Sequence, residues 1–231
     1  MRHFEEMLQE LLQKVVEMGT IVEGMIDLAV RTLVERSEAH VGQLWEMEHT
    51  VNGLQVAIDE RAVTLTAIQQ PVASDVRFVF MASRISGELE RIADQAINIS
   101  QNAHYVLQGP PLRPLVDLPI MAEIVQKMVH DTVNAMVKKD TSLADIVLEE
   151  EAKVDAFRDQ IFRTLLTYMM ADPGTIGRAL SLILISRNLE RIGDHSTNIA
   201  EEVIYWVQGR DVRHKKFDNT GGPPGSRKKE A

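Results

Sequence analysis

Residues 189–194 read LERIGD, and this stretch decides the fold because the chain contains it twice. Residues 89–94, one hundred positions earlier, read LERIAD. The match continues beyond the motif, since Asn98 and Ile99 correspond to Asn198 and Ile199. Similarity at a fixed separation is the sequence sign of a repeated structural unit. The sequence therefore indicates a chain built from two copies of one unit.

Both copies of the motif lie in apolar patterns with helical spacing. The first stripe recurs every three or four positions, at Ile85, Leu89, Ile92, Ala96, Ile99, Ala103 and Val106. The second repeats that spacing at Ile185, Leu189, Ile192, Ser196, Ile199 and Val203. At about 100° per residue each stripe predicts one buried helix face. The polar residues then point away from the core, as two matching ladders: Glu90, Asp94 and Asn98, and Glu190, Asp194 and Asn198.

The composition favours a helical protein with a substantial core. Of 231 residues, 45% are hydrophobic but only 5% aromatic, and glycine and proline are few. The chain contains no cysteine, which excludes disulfides and thiolate metal sites and is compatible with a reducing cytosol. The N-terminal residues lack the apolar core of a signal peptide. We expect a soluble protein that reaches a membrane only through its partners.

The net charge of −9 is unevenly distributed. Residues 210–231 hold seven basic and three acidic side chains, whereas the preceding 209 residues carry 18 and 31, a net charge of −13. A body of that charge repels phosphate backbones, which argues against nucleic-acid binding.

Six long helices follow from the apolar spacing and the breaks between its segments. Helices are predicted over residues 3–36, 41–69 and 74–109, and then from near Pro119, from near Ser142 and after Gly174. The only proline-rich interior segment separates the two sets of three. We predict an all-α fold of two tandem, pseudo-symmetric three-helix bundles: residues 1–109, a linker at 110–118, residues 119–209, and a disordered basic tail at 210–231.

The repeated carboxylates have two interpretations. Acidic residues on successive turns are common on solvated helix faces, so a single ladder has an ordinary explanation. A polar ladder that recurs in both halves is harder to explain as a solvated helix face, because like charges at this spacing destabilise a helix. A hard, oxygen-preferring cation would compensate the repulsion. Further acidic residues lie at helical spacing: Glu151, Asp155 and Asp159, Glu23 and Asp27, and Glu48 and Asp59.

Enzyme signatures are missing from the sequence. The seven histidines do not form a metal box, and His195 is expected to point away from the ladder beside it. Glu46 and His49 form the only Glu-x-x-His pair of the helical body, whereas a ferritin-like di-iron core needs two. No glycine-rich phosphate loop or Gly-x-Ser-x-Gly elbow is present. We therefore predict no catalytic residues.

Together with the doubled motif, three stretches resemble the PhoU family, the bacterial accessory regulators of the phosphate-specific transport system. They are residues 58–60 (IDE), 70–77 (QPVASDVR) and 166–169 (LTYM). The resemblance spans about residues 5–209 and implies a tandem pair of three-helix bundles. It also implies multinuclear metal clusters, with iron first and zinc, magnesium, manganese or calcium as alternatives. The motif places them at Glu90, Asp94, Glu190 and Asp194, and less directly at Asp59, Asp155 and Asp159.

The resemblance further implies a role. Family members are cytoplasmic, usually dimeric proteins that repress the phosphate-starvation response, acting between the transporter's ATPase subunit and a membrane sensor histidine kinase. The basic tail lies outside the family pattern. The expected function is thus a non-enzymatic adaptor, with a metal-binding or storage protein and a metal-dependent phosphoesterase as the alternatives.

Overall fold

The computed structural model describes residues 2–69, 73–112 and 117–213, which form long helices and no strand. The helices are α1 (Arg2–Val34), α2 (Val41–Gln69), α3 (Ala73–Leu107), α4 (Asp117–Lys138), α5 (Thr141–Ala171) and α6 (Ile176–Gln208). A short 3-10 turn, Pro173–Thr175, connects α5 to α6. With 33 residues, α1 is about 50 Å long at 1.5 Å per residue. The predicted all-α class is confirmed.

The helices pack in two groups of three. Each of α1, α2 and α3 contacts the other two, and the same holds for α4, α5 and α6. The groups meet where α1 packs on α4 and α3 packs on α6. The buried apolar side chains of both groups form one continuous cluster. The domain boundaries drawn from the sequence stay predictions, as does a pseudo-twofold relation between the groups.

The two stripes that carry the repeated motif are buried as predicted. Every member of the α3 stripe, from Ile85 to Val106, is at most 2% exposed. The α6 stripe from Ile185 to Val203 is equally buried, and Ser196 within it satisfies its hydroxyl by donating to the Ile192 carbonyl at 2.8 Å. Helical spacing alone therefore located the core faces of the two central helices.

The turns after α1 and α4 have the same geometry. Arg36 and Lys139 both take left-handed backbone conformations, with φ of 52° and 53°. The amide of the next residue then bonds the carbonyl five positions back, Ser37 to Thr32 at 3.2 Å and Asp140 to Ala135 at 3.0 Å. This pattern closes a helix end by satisfying its last carbonyls. The two halves thus begin their second helix through equivalent turns.

The segments between and after the helices differ in detail from the sequence prediction. Helix α4 begins at Asp117, two residues before Pro119, because a proline in the first helical turn costs no hydrogen bond. Residues 113–116 of the predicted linker and residues 214–231 of the predicted tail lie outside the described residues. Residues 210–213 are described, and Arg213 pairs there with Asp211 and Glu202. Among the helices described, none is long and apolar enough to cross a membrane.

Candidate functional site: two acidic clusters

The first acidic cluster consists of Glu48 on α2 and Glu90 and Asp94 on α3. The buried stripe of α3 leaves Glu90 half-buried and Asp94 exposed beside it. Burial raises the pKa of Glu90, and the charges of Asp94 and Glu48 raise it further, against the opposing effect of Arg91. The pKa of Asp94 is raised by partial burial of its carboxyl group and by Glu48. The charge of Glu48 therefore disfavours ionisation of both Glu90 and Asp94, and the charge of Asp94 disfavours ionisation of Glu90.

The second acidic cluster consists of Glu151 and Asp155 on α5 and Glu190 and Asp194 on α6. Partial burial raises the pKa of Asp194, and the charges of Glu190, Glu151 and Asp155 raise it further. This cluster lies at the contact of the second and third helices of its half, as the first one does. The repeated motif thus places the same kind of cluster at the same helix contact twice.

An arginine distinguishes the second cluster from the first. The Arg158 guanidinium on α5 donates to Glu190 across the helix contact and to Asp159 at 2.9 Å, and it lies 3.5 Å from Asp155. The matching position in α2 is Gln55, because α5 follows α2 at a separation of 103 residues. The second cluster is therefore partly neutralised by an arginine that is hydrogen-bonded to it. In the first cluster Arg91 acts on Glu90 through its charge alone, and no arginine of the described residues donates a hydrogen bond to Glu48, Glu90 or Asp94.

The structure brings most of the predicted metal ligands together. Glu90 lies with Asp94, and Glu190, Asp194 and Asp155 lie together, with Asp159 joined to them through Arg158. These groupings arise because each acidic helix face lies beside the neighbouring helix of its half, while Asp94, Asp159 and Asp194 stay exposed to solvent.

Asp59 does not belong to the first cluster. Its carboxylate accepts a hydrogen bond from Ser83 at 2.5 Å. Ser83 precedes Glu90 by seven residues, which is about 10 Å along α3. Asp59 thus lies at the contact between α2 and α3, as the first cluster does, but about two helical turns away from it.

The donor atoms of both clusters are those that a hard cation prefers. Carboxylate oxygens suit magnesium, manganese, calcium and iron, and a divalent ion would relieve the repulsion that raises the pKa values of Asp94 and Asp194. Within the described part of the chain, no three acidic or histidine side chains converge closely enough to enclose a metal ion. The donor atoms are therefore of the type that binds a hard metal ion.

A polar contact between the halves was not predicted. His195, expected to point away, lies 2.8 Å from Glu88 of α3 through its Nδ1, and Asn198 donates to the same carboxylate oxygen at 3.0 Å. Both side chains come from α6, so this contact bridges the two halves. Arg84 of α3 pairs with Glu202 of α6 at 2.9 Å further along the same seam. The angular positions of residues around a single helix cannot predict such contacts, because the contacts depend on which other helix packs against it.

The bridge changes the chemistry of Glu88. Burial by itself raises the pKa of this carboxyl group, but hydrogen bonds from His195 and Asn198 lower it, and the net pKa lies below the ordinary value. Glu88 therefore stays ionised at the contact of α3 and α6, close to the first acidic cluster.

Comparison with known proteins places this arrangement in a family. The family model described as "PhoU domain" matches twice, at residues 15–103 and 118–203. A Pseudomonas putida protein named phosphate-specific transport system accessory protein PhoU homolog is 37% identical over 92% of this chain and 84% of its own length. The Escherichia coli accessory protein PhoU is 36% identical over 91% of this chain and 88% of its own.

A solved structure agrees with these sequence matches. The crystal structure of PhoU from Pseudomonas aeruginosa superposes with a TM-score of 0.87 at 36% identity, covering 90% of this chain and all of the other. The family model thus matches both halves, each with one copy of the repeated motif. The chain belongs to the PhoU family.

Proposed function

We propose that this protein is a non-enzymatic regulator of phosphate uptake and a negative regulator of phosphate-starvation signalling. In this role it acts as an adaptor between the ATPase subunit of a phosphate transporter and a sensor histidine kinase. The observation that carries the proposal is the extent of the similarity, which includes both halves and nearly the whole length of relatives named as accessory proteins of phosphate transport.

The form of the molecule supports an adaptor. Long helices offer extended surfaces, and the repeated clusters lie on those surfaces rather than in a deep pocket. We propose a cytoplasmic location, a homodimer and contact with the membrane through partners only. The acidic body disfavours nucleic acid as a partner.

We propose metal binding as a property of the acidic clusters. Glu90 and Asp94 with Glu48 would hold an ion in the first cluster, and Glu190, Asp194 and Asp155 would hold one in the second. Asp159 would contribute only from the edge, through its link to Arg158. Iron is the first candidate, with zinc, magnesium, manganese and calcium as alternatives, and the ion would supply charge neutralisation between neighbouring helices.

Two other functions remain as alternatives to test. A metal storage protein would use the same carboxylates, and a metal-dependent phosphoesterase would use a bound ion to activate water. Phosphoester hydrolysis by the purified protein, lost on Asp94→Asn or Asp194→Asn substitution, would favour the enzyme over the adaptor.

The decisive experiment is a deletion strain that carries a reporter for a phosphate-starvation promoter. In phosphate-rich medium we expect the reporter to be derepressed in the deletion and repressed again when the full chain is supplied on a plasmid. Normal repression in the deletion strain would contradict the regulatory role. A pull-down with the transporter ATPase and the kinase, at high and low phosphate, then tests the adaptor role separately.

A further inference from the structure

Asn52 of α2 occupies a position at which the second half of the chain has a carboxylate. Helix α5 follows α2 at a separation of 103 residues, so Asn52 corresponds to Asp155 of the second cluster, and both side chains are half-buried. The core fixes this register, because the preceding residues Val51 and Val154 are buried, at 0% and 2% exposure. The first cluster therefore has three carboxylates where the second has four.

The side chain of Asn52 is joined to the first cluster by a short hydrogen bond. Its Nδ2 donates to Glu48 Oε1 at 2.6 Å, one turn back along α2. The charge of Glu48 reaches Glu90 and Asp94 of α3, so the amide holds a carboxylate that belongs to the cluster. A carboxylate in place of this amide would repel Glu48 instead of binding it.

A different residue supplies the nitrogen donor of the second cluster. Asp155 has no N–H group to donate, and the Arg158 guanidinium lies 3.5 Å from it and donates to Glu190. The position that corresponds to Arg158 in the first half is the uncharged Gln55. Each half thus has one nitrogen donor bound to its carboxylates, an amide in the first half and a guanidinium in the second.

The two donors have different consequences for a cation. The charge of Arg158 is carried on a long side chain that can leave Glu190, and its departure exposes four carboxylates. Asn52 instead removes one charge from the first cluster permanently. The affinity of a site built from oxygen ligands depends on the number of charged ligands, so this single amide has a direct effect on binding.

We propose that Asn52 determines the cation affinity of the first cluster. The inference rests on the metal binding proposed above, and it concerns a residue outside the carboxylates named there. Asn52 keeps the cluster at three charges and engages one oxygen of Glu48. Aspartate has nearly the same shape as asparagine, so Asn52→Asp adds the charge and removes the donor without changing the packing.

Mn²⁺ serves as the probe, in the full chain with the second cluster removed by Glu190→Gln and Asp194→Asn. On that background Asn52→Asp should increase the affinity of the first cluster for Mn²⁺ about tenfold, measured from the electron paramagnetic resonance signal of free Mn²⁺. Gln43→Glu adds the same charge to α2 at an exposed position about 14 Å away on the opposite side of the helix. This control should change the affinity less than about twofold, and circular dichroism confirms that each protein folds.

Unfolding by urea in metal-free buffer gives a readout that needs no bound ion. Asn52→Asp should lower the urea midpoint by about 0.3 M, because the new carboxylate repels Glu48 and the hydrogen bond to it is lost. Gln55→Arg introduced with it reproduces the residues of the second half and should restore the midpoint. An unchanged midpoint in Asn52→Asp would show that Asn52 does not hold Glu48, which would overturn the proposal.

The Mn²⁺ titrations separate this inference from the metal binding on which it rests. Binding that Glu90→Gln and Asp94→Asn abolish but that Asn52→Asp leaves unchanged would overturn the role of Asn52 alone. An equal gain in affinity from Asn52→Asp and Gln43→Glu would also overturn it, because the effect would then come from the charge of the whole helix. Absence of Mn²⁺ binding in the wild type and in every variant would overturn the metal sites together with this inference.

Discussion

At the scale of single residues, Glu88 shows how one contact sets the ionisation of a group. A carboxyl group whose pKa is lowered on folding binds protons less readily in the folded state than in the unfolded chain. Its stabilising effect is therefore complete above the ordinary value of 4.5 and is lost as the pH falls through the lowered folded pKa. The contact between α3 and α6 is thus strongest where Glu88 is charged.

We predict that Glu88→Gln lowers the free energy of unfolding by about 1–2 kcal/mol at neutral pH, because His195 and Asn198 lose a charged acceptor. The difference between variant and wild type should shrink as the pH falls below 4.5 and through the lowered folded pKa, where wild-type Glu88 becomes protonated. Urea denaturation across this pH range measures both. A difference that is the same at every pH would show that the charge of Glu88 contributes nothing.

The carboxyl groups of Asp94 and Asp194 behave in the opposite way. Their pKa values are raised, so each favours the folded state below its ordinary value of 3.8 and loses that advantage as the pH rises through the folded pKa. At neutral pH the two charges oppose folding unless something neutralises them. A cation is the simplest neutralising partner.

We predict that Asp94→Asn combined with Asp194→Asn lowers the metal content of the purified protein while leaving it folded. In metal-free buffer the double variant should be no less stable than wild type, because the lost charges were repelled by their neighbours. Elemental analysis and thermal denaturation are the two measurements. Asp145→Asn, at an exposed position on α5, is the matched control, and metal content equal to wild type in the folded double variant would refute the assignment.

At the scale of helices, the spacing of apolar residues determined which faces are buried but not what lies opposite them. The α3 and α6 stripes were predictable because a core face needs only apolar volume at helical intervals. The pairing of Glu90 and Asp94 on one helix face followed from the same angles. The partners Glu48, Glu151 and Arg158 lie on neighbouring helices, and His195 reaches across the halves, so their contacts depend on packing that one helix does not encode.

Arg158 makes a contact between α5 and α6, and its removal should change the affinity of the second cluster for a cation. We predict that Arg158→Gln, which introduces the residue of the first half, increases the affinity of the second cluster for Mn²⁺, used as a probe, by about tenfold. The reason is that a guanidinium bound to Glu190 competes with a cation for the same charge. Titration with Mn²⁺ measures the affinity, and Arg163→Gln removes an equal charge away from the cluster. Unchanged affinity in Arg158→Gln would mean that no ion binds beside Glu190.

At the scale of the whole molecule, the two halves meet along two different seams. The seam of α3 and α6 is partly polar, through Glu88 and Arg84. The seam of α1 and α4 is a close approach, because a side-chain carbon added at Gly19 would lie 2.7 Å from Val133 Cγ2. His130 of α4 also reaches Glu23 of α1 at 3.1 Å, one turn along from this point. Gly19 therefore has a packing role that the sequence alone did not indicate.

This close approach predicts an energetic coupling between the halves. Alanine is preferred to glycine inside a helix by about 1 kcal/mol, so Gly53→Ala, at an exposed position with free space around it, should stabilise the protein. Gly19→Ala should instead destabilise it by about 1–3 kcal/mol, because the stiff side chain of Val133 cannot move away without disturbing its neighbours.

The double variant decides whether contact between the halves is the cause. Val133→Ala removes the carbon atoms that the new methyl group meets, so Gly19→Ala introduced on that background should stabilise the protein as Gly53→Ala does. The coupling energy from this double-mutant cycle should be about 2–4 kcal/mol, the difference between a loss of about 1–3 kcal/mol in wild type and a gain of about 1 kcal/mol on the Val133→Ala background. Denaturant unfolding of the four proteins measures it. Additive effects of the two substitutions would show that α1 and α4 do not hold the halves together at Gly19.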